Sequence, residues 1–155
     1  MNSSTDYRAY YQEKLEQGLQ FQDHVTDVLY EQGMVVVTYV SKARGLKAEN
    51  KLGVEIKRDA KFRETGNLFI EVAEKSHPSN PLFVSSGIYR KDNSWLYAIG
   101  DEQTLWIFSK KILVLLIEAK PPRYQRREIP TSRGYLLPLS DGDKYALKRI
   151  DTVVR

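Results

Sequence analysis

Apolar positions in the first thirty residues recur at helical spacing: Leu15, Leu19, Val25, Val28 and Leu29. That period predicts an amphipathic helix, with Thr5 or Asp6 capping its start, Gly18 as a point of interruption and Gly33 as its terminal glycine. The pattern then turns β-branched over 34–40 (MVVVTYV), which predicts a strand. A polar stretch, 41–53, reads as loop. Alternation returns in 54–59 (VEIKRD) and 67–75 (NLFIEVAEK), two further strands. Thr65-Gly66-Asn67 supplies turn chemistry between them. Two prolines, Pro78 and Pro81, break the pattern next. Segments 95–99 and 104–108 predict a hairpin. Ser109 is placed to cap a helix through Ala119, with Ile112, Leu113, Leu116 and Ile117 as its buried stripe and Pro121-Pro122 as its stop. Residues 120–134 read as a loop closed by Gly134, 135–139 as a short extended piece, and 144–150 as a helix. This order predicts one α/β (α+β) domain over residues 1–155 with a central mixed sheet.

Composition removes several chemistries. The 155 residues contain no cysteine and only two histidines, His24 and His77. Disulfides, thiolate zinc sites and cysteine nucleophiles are excluded, and a zinc site built from several histidines is disfavoured. There is no Walker loop and no GxGxxG fingerprint. The N-terminal residues lack an apolar leader, and the longest apolar run, Ile112–Ile117, is too short to span a bilayer. The expectation is a soluble cytoplasmic protein with no membrane partner.

Candidate chemistry lies on the two central strands. Side chains alternate faces along a strand. Glu55, Lys57 and Asp59 therefore share one face, and Phe69, Glu71, Ala73 and Lys75 share another. If the strands form a hairpin, Asp59 and Glu71 flank the same turn. Two carboxylates with a lysine nearby suit Mg²⁺, which takes hard oxygen ligands and retains waters. Such an ion polarises a phosphate and activates water, and a lysine adds positive charge beside the reacting phosphorus. The plain alternative is a solvated sheet face of cross-strand ion pairs.

These segments, GVEIKRD then NLFIEVAEK, with the helix before them and GIYRKDNSWLYAIGD after, resemble the PD-(D/E)xK nuclease superfamily, in its small phage and bacterial form. The resemblance covers about residues 12–120. It implies a restriction-endonuclease-like αβββαβ core, with an acid late on the second strand and an acid–x–lysine pair on the third. It also implies DNA phosphodiester hydrolysis with Mg²⁺, or Mn²⁺ in its place. On this pattern Asp59 and Glu71 hold the metal, and Glu55 or an acid of the first helix, Glu16 or Asp23, supplements the site. Ala73 stands where the lysine is expected, so Lys75 or Lys57 takes that part. The substrate implied is double-stranded or branched DNA, and cutting both strands with so small a site calls for a symmetric dimer.

Charge supports an anionic partner. The net charge is +4. Residues 110–133 hold seven Lys and Arg against two Glu, a local +5 that leaves the rest of the chain at −1. Arg123, Arg126 and Arg127 with Tyr124 suit phosphates and a stacked base. Lys42, Arg44, Lys47 and Lys51 form a second basic cluster before the acidic strands. The GIY and YAIG segments superficially resemble GIY-YIG nucleases, but their spacing and position do not fit, and a pair of packing segments is the better reading. His24 and His77 read as structural histidines. Three functions follow: a metal-dependent endonuclease, a non-catalytic nucleic-acid-binding module on the same scaffold, or an assembly protein binding another chain.

Overall fold

The computed structural model describes residues 3–32, 38–39, 49–50, 53–92 and 94–152. The chain is α+β, with two four-stranded sheets, one of them mixed, and a short ribbon. It opens with helix α1 (Ser3–Glu31). Gly18 lies inside this helix and does not interrupt it. Gly33 and most of the strand predicted at 34–40 lie outside the described residues. Two short strands, β1 (Thr38–Tyr39) and β2 (Glu49–Asn50), pair antiparallel.

Strand β3 (Val54–Arg58) follows, then a single helical turn, α2 (Phe62–Thr65), then β4 (Asn67–Glu74). The predicted hairpin does not form. β3 runs parallel to β6 (Leu96–Gly100), whereas β4 pairs with β5 (Val84–Ser85) and β9 (Ser132–Pro138) in the other sheet. The cause is α2. Phe62 is buried edge-on against Trp106, 5.0 Å between ring centroids, and Gly66 closes the turn at φ +70°. That anchor sends the chain from one sheet to the next instead of folding it back beside β3.

The 3₁₀ turn Gly87–Tyr89 leads to β6, which forms the predicted hairpin with β7 (Thr104–Ser109). Helix α3 (Lys110–Ile117) follows, although Ser109 makes no side-chain cap. Its stripe is narrower than predicted. Leu113 is buried, Leu116 and Ile117 are partly buried against the core, and Ile112 is exposed. The segment predicted as a basic loop is a hairpin of β8 (Gln125–Ile129) with β9. Gly134 is not its breaker but sits within β9, where the Phe69 ring fills the space a Cβ would need. The predicted helix at 144–150 is replaced by α4 (Leu139–Tyr145) and β10 (Lys148–Asp151). β10 pairs with β7, whose main-chain groups would otherwise lie unpaired at the sheet edge.

Alternation sorts two apolar layers. Val54, Leu96, Ala98, Leu105, Ile107 and Ile150 pack against Phe21, Val25, Val28 and Leu29 of α1. On the other face of this sheet, Tyr97, Ile99, Trp106 and Phe108 meet Leu68, Ile70 and Leu137 of the second sheet, with Leu113 of α3. The architecture is helix on sheet on sheet. No described helix is long and apolar enough to cross a membrane.

Two glycines separate packing from propensity. A Cβ at Gly87 would sit 2.1 Å from the Glu71 carbonyl oxygen, at a φ of +55°. A Cβ at Gly18 meets nothing within 4 Å. Gly87→Ala is expected to lower stability by about 3 kcal/mol. Gly18→Ala is expected to raise it by about 0.5–1 kcal/mol. Urea denaturation of both variants checks the pair.

Candidate active site

The second face of β3 is where apolar alternation stops. Val54 and Ile56 join the core under α1, while Glu55 and Lys57 face the other way, on the same side as Tyr97. From β4, Glu71 reaches the same place. Lys57 Nζ lies 3.1 Å from Glu71 Oε1 and 3.5 Å from Glu55 Oε1. By the sum of those two distances, the carboxylate oxygens are no more than 6.6 Å apart. Glu71 is held on its other sides too. Ser86 Oγ donates to its Oε1 at 2.9 Å, and Ser132 Oγ to its Oε2 at 2.7 Å. Ser132 reaches it where the register of β4 against β9 shifts between Glu71 and Ala73. A bulge of this kind re-aims side chains.

A second cation stands behind the first. Lys110 begins α3 but is buried, and its Nζ lies 3.8 Å from Glu55 Oε2 and 3.3 Å from Asp92 Oδ1. It also donates to Ser94 Oγ. Its charge therefore serves the site and not the basic surface. Tyr97 Oη is buried beside these groups with no hydrogen-bond partner among the described residues. Burial first, and then the charges of Glu71 and Glu55, push its phenol far above the ordinary range.

Both partners of the central pair keep their charge. Burial works against the Lys57 ammonium, but the Glu71 and Glu55 carboxylates outweigh it and raise its pKa. Burial likewise works against ionised Glu71, but Lys57 and the Ser132 and Ser86 hydroxyls hold its pKa below the ordinary value.

The structure divides the predicted residues. Glu55, Lys57 and Glu71 come together. Asp59 does not join them through its side chain: Oδ1 accepts from Lys61 N–H and Oδ2 from Phe69 N–H, both at 2.9 Å. Those bonds tie the end of β3 to the start of β4, a brace across the change of sheet. Lys75 places its ammonium over the Phe83 ring, 4.4 Å from the centroid. Of the two lysines left open by the sequence, Lys57 is the one that reaches Glu71. Glu16 and Asp23 belong to α1, which packs on the far face of the β3 sheet.

The basic surface is also redistributed. Tyr124 is buried, and its hydroxyl donates to Asp141 at 2.7 Å, so it has no free face for a base. Arg123 donates to Tyr145 Oη at 3.1 Å. Arg126 and Arg127 are exposed on β8. Lys42, Arg44, Lys47 and Lys51 lie outside the described residues. His24 Nε2 lies 2.9 Å from the Glu102 carbonyl oxygen, and His77 bonds Ser79.

The acid–x–lysine spacing expected on 67–75 also occurs on β3, whose lysine contacts both acids. Glu55-Ile56-Lys57 carries that spacing itself, and its two polar residues interrupt the apolar face at alternate positions. Lys110 and the two serines gave no comparable signal. Among the described residues, no group of three or more His, Asp or Glu converges as a metal cage. Two carboxylates and hydroxyl oxygens are nonetheless a hard donor set, of the kind that holds Mg²⁺ together with waters and substrate phosphate. No family model, no curated protein and no solved structure matches the chain.

The charge states fix a pH window. Glu71, with a depressed pKa, stabilises the fold above its ordinary value of 4.5 and loses that contribution as pH falls further. Lys57, with a raised pKa, contributes fully below its ordinary 10.5 and loses the contribution as pH rises beyond its folded value. Lys57→Met leaves two carboxylates facing each other at a poorly solvated site. It is expected to cost about 3 kcal/mol at neutral pH, with part of the loss recovered near pH 5 as Glu71 takes up a proton. Urea midpoints of both proteins across pH 4–10 check this, and a pH-independent difference would count against it.

Proposed function

We propose that the chain is a metal-dependent endonuclease that hydrolyses DNA phosphodiester bonds. The observation that carries this reading is the Glu55–Lys57–Glu71 cluster, an acid–x–lysine pair on one strand opposed by an acid from the next. The chain order α1, β1, β2, β3 is that of the αβββ portion of a restriction-endonuclease-like core, although β1 and β2 form a ribbon of their own and β3 pairs with β6. In that order Glu55-Ile56-Lys57 lies on the third strand, and Glu49 stands on the second, where the resemblance expects a further acid.

In this reading Glu55 and Glu71 hold Mg²⁺ or Mn²⁺. The ion supplies Lewis-acid polarisation of the phosphate and a more acidic water. Ser86 and Ser132 fix the Glu71 carboxylate, so its lone pairs are aimed before any ligand arrives. Lys57 neutralises both acids in the free protein. It then has to turn toward the scissile phosphate, where it stabilises charge developing on the non-bridging oxygens. Lys110 keeps Glu55 oriented from behind. Arg126 and Arg127 offer exposed cations to the phosphate backbone. Cleavage of both strands calls for two copies of the chain in a symmetric pair.

A second reading is favoured by one feature. Lys57 already satisfies both carboxylates, so the cluster is electrostatically complete without a metal. A module that binds nucleic acid without cutting it has that property.

Nicking of supercoiled plasmid in Mg²⁺ or Mn²⁺ decides between the two. The wild type is expected to nick, and Glu55→Gln and Glu71→Gln are each expected to lose at least about 100-fold. Salt-sensitive DNA binding by the wild type, with no nicking in either metal, would establish the second reading instead.

A further inference from the structure

Trp95 is 62% exposed, whereas the other tryptophan, Trp106, is 1% exposed. A lone exposed aromatic means little by itself. This one stands beside the candidate site. Its N–H donates to the Gly53 carbonyl oxygen, two residues before Glu55, at 2.7 Å. Its own carbonyl oxygen accepts from Lys110 N–H at 2.9 Å, and Lys110 is the residue whose ammonium faces Glu55. Tyr97, two positions further along, is the register partner of Glu55. Trp95 thus stands at the entrance of β6, diagonal to Glu55 across the β3–β6 pair.

Ser94, next to Trp95, is held by side-chain bonds. Ser94 N–H donates to Asp92 Oδ1 at 2.8 Å, Ser94 Oγ donates to the same oxygen, and Lys110 Nζ donates to both residues. The indole is therefore presented from a braced backbone, which lowers the ordering cost of binding to it. Lys91, four residues before Trp95, and Lys111, next to the Lys110 that bonds the Trp95 carbonyl oxygen, are exposed, and neither has an ion-pair partner among the described residues. An exposed indole on a backbone tied to the Glu55 strand, with exposed lysines in the neighbouring segments, matches the physical requirement for holding a single strand: stacking for the base and positive charge for its phosphates.

We propose that Trp95 is a stacking platform for an unpaired base next to the Glu55–Glu71 site, so that the preferred substrates are strands with unpaired bases, single-stranded or branched. This rests on the nuclease reading and narrows it to a substrate class. A duplex keeps its bases stacked internally and offers no face to the indole.

The test uses the full chain with EDTA present, so that binding is read without turnover. Tryptophan fluorescence is followed during titration with a 12-nucleotide single strand and with a blunt duplex of the same sequence. Trp106 is enclosed in the core, so quenching reports Trp95. The single strand is expected to quench, and the duplex is expected not to. Trp95→Ala should weaken single-strand Kd about tenfold and change duplex Kd less than twofold, with Trp95→Phe restoring most of the loss. Equal single-strand affinity in Trp95→Ala would overturn the proposal. So would a fluorescence change that depends on protein concentration without DNA, which would make Trp95 a contact between protein copies. The nicking assay decides separately. Nicking that survives Trp95→Ala, with single-strand affinity unchanged, sinks the platform alone. Trp95-dependent binding in a protein that never nicks sinks the nuclease reading alone.

Discussion

Beside the apolar core that two sheets share, one ammonium group bridges them where no strand pair is hydrogen-bonded. Lys57, on the edge strand of the first sheet, joins its own neighbour Glu55 to Glu71 of the second. With its side chain 27% exposed and that of Glu71 16% exposed, neither charge is well hydrated. Each would be costly alone, and each is retained because the other is there. Much of the local structure follows from keeping this pair in place. The register shift on β4, the close approach of Gly87 to the Glu71 backbone, and the two serine hydroxyls all serve to orient one carboxylate. The α2 turn and the Asp59 brace set where β4 begins and so where Glu71 falls.

The same arrangement explains why a cluster so fully paired is a poor candidate for mere stability. A Leu or Met packed between the sheets would bury the same volume without desolvating charges. What the cluster offers instead is two pre-aimed carboxylates whose counter-charge is carried on a flexible stem. On the proposed reading, a divalent cation would replace that counter-charge only if the ammonium moved, which would couple metal binding to the release of Lys57 toward a phosphate. Lys110 stays behind as a fixed cation, short of mobility because Asp92 and Ser94 hold it.

Legibility in the sequence followed the range of the interactions. β3, β4, β6, β7 and α3 were readable because alternation and helical period are local. The partner of β3 was not, since Val54–Arg58 contains nothing that distinguishes β6 from β4 as its neighbour. β8 was hidden by its exposure: every residue of Gln125–Ile129 is exposed, so no apolar alternation marks it as a strand. β10 reads as helix in sequence because its strand state depends on pairing with β7. At the site, Glu55, Lys57 and Glu71 were visible as same-face polar residues. The bracing bonds of Asp59 were not legible, because a carboxylate that accepts from main-chain N–H groups looks, in sequence, like one that binds metal. Tyr124 was misjudged in the same way: an aromatic between arginines suggests stacking until its hydroxyl is found bonded to Asp141.

The central claim is that Glu55 and Glu71 form a cation site whose resting counter-ion is Lys57. A crystal structure of the protein soaked in Mn²⁺, with anomalous data collected near the manganese edge, tests it most directly. The account predicts an anomalous peak in contact with both carboxylates, with the Lys57 ammonium withdrawn from Glu71. Saturating Mn²⁺ that leaves Lys57 in place, with no peak between the two acids, would contradict it.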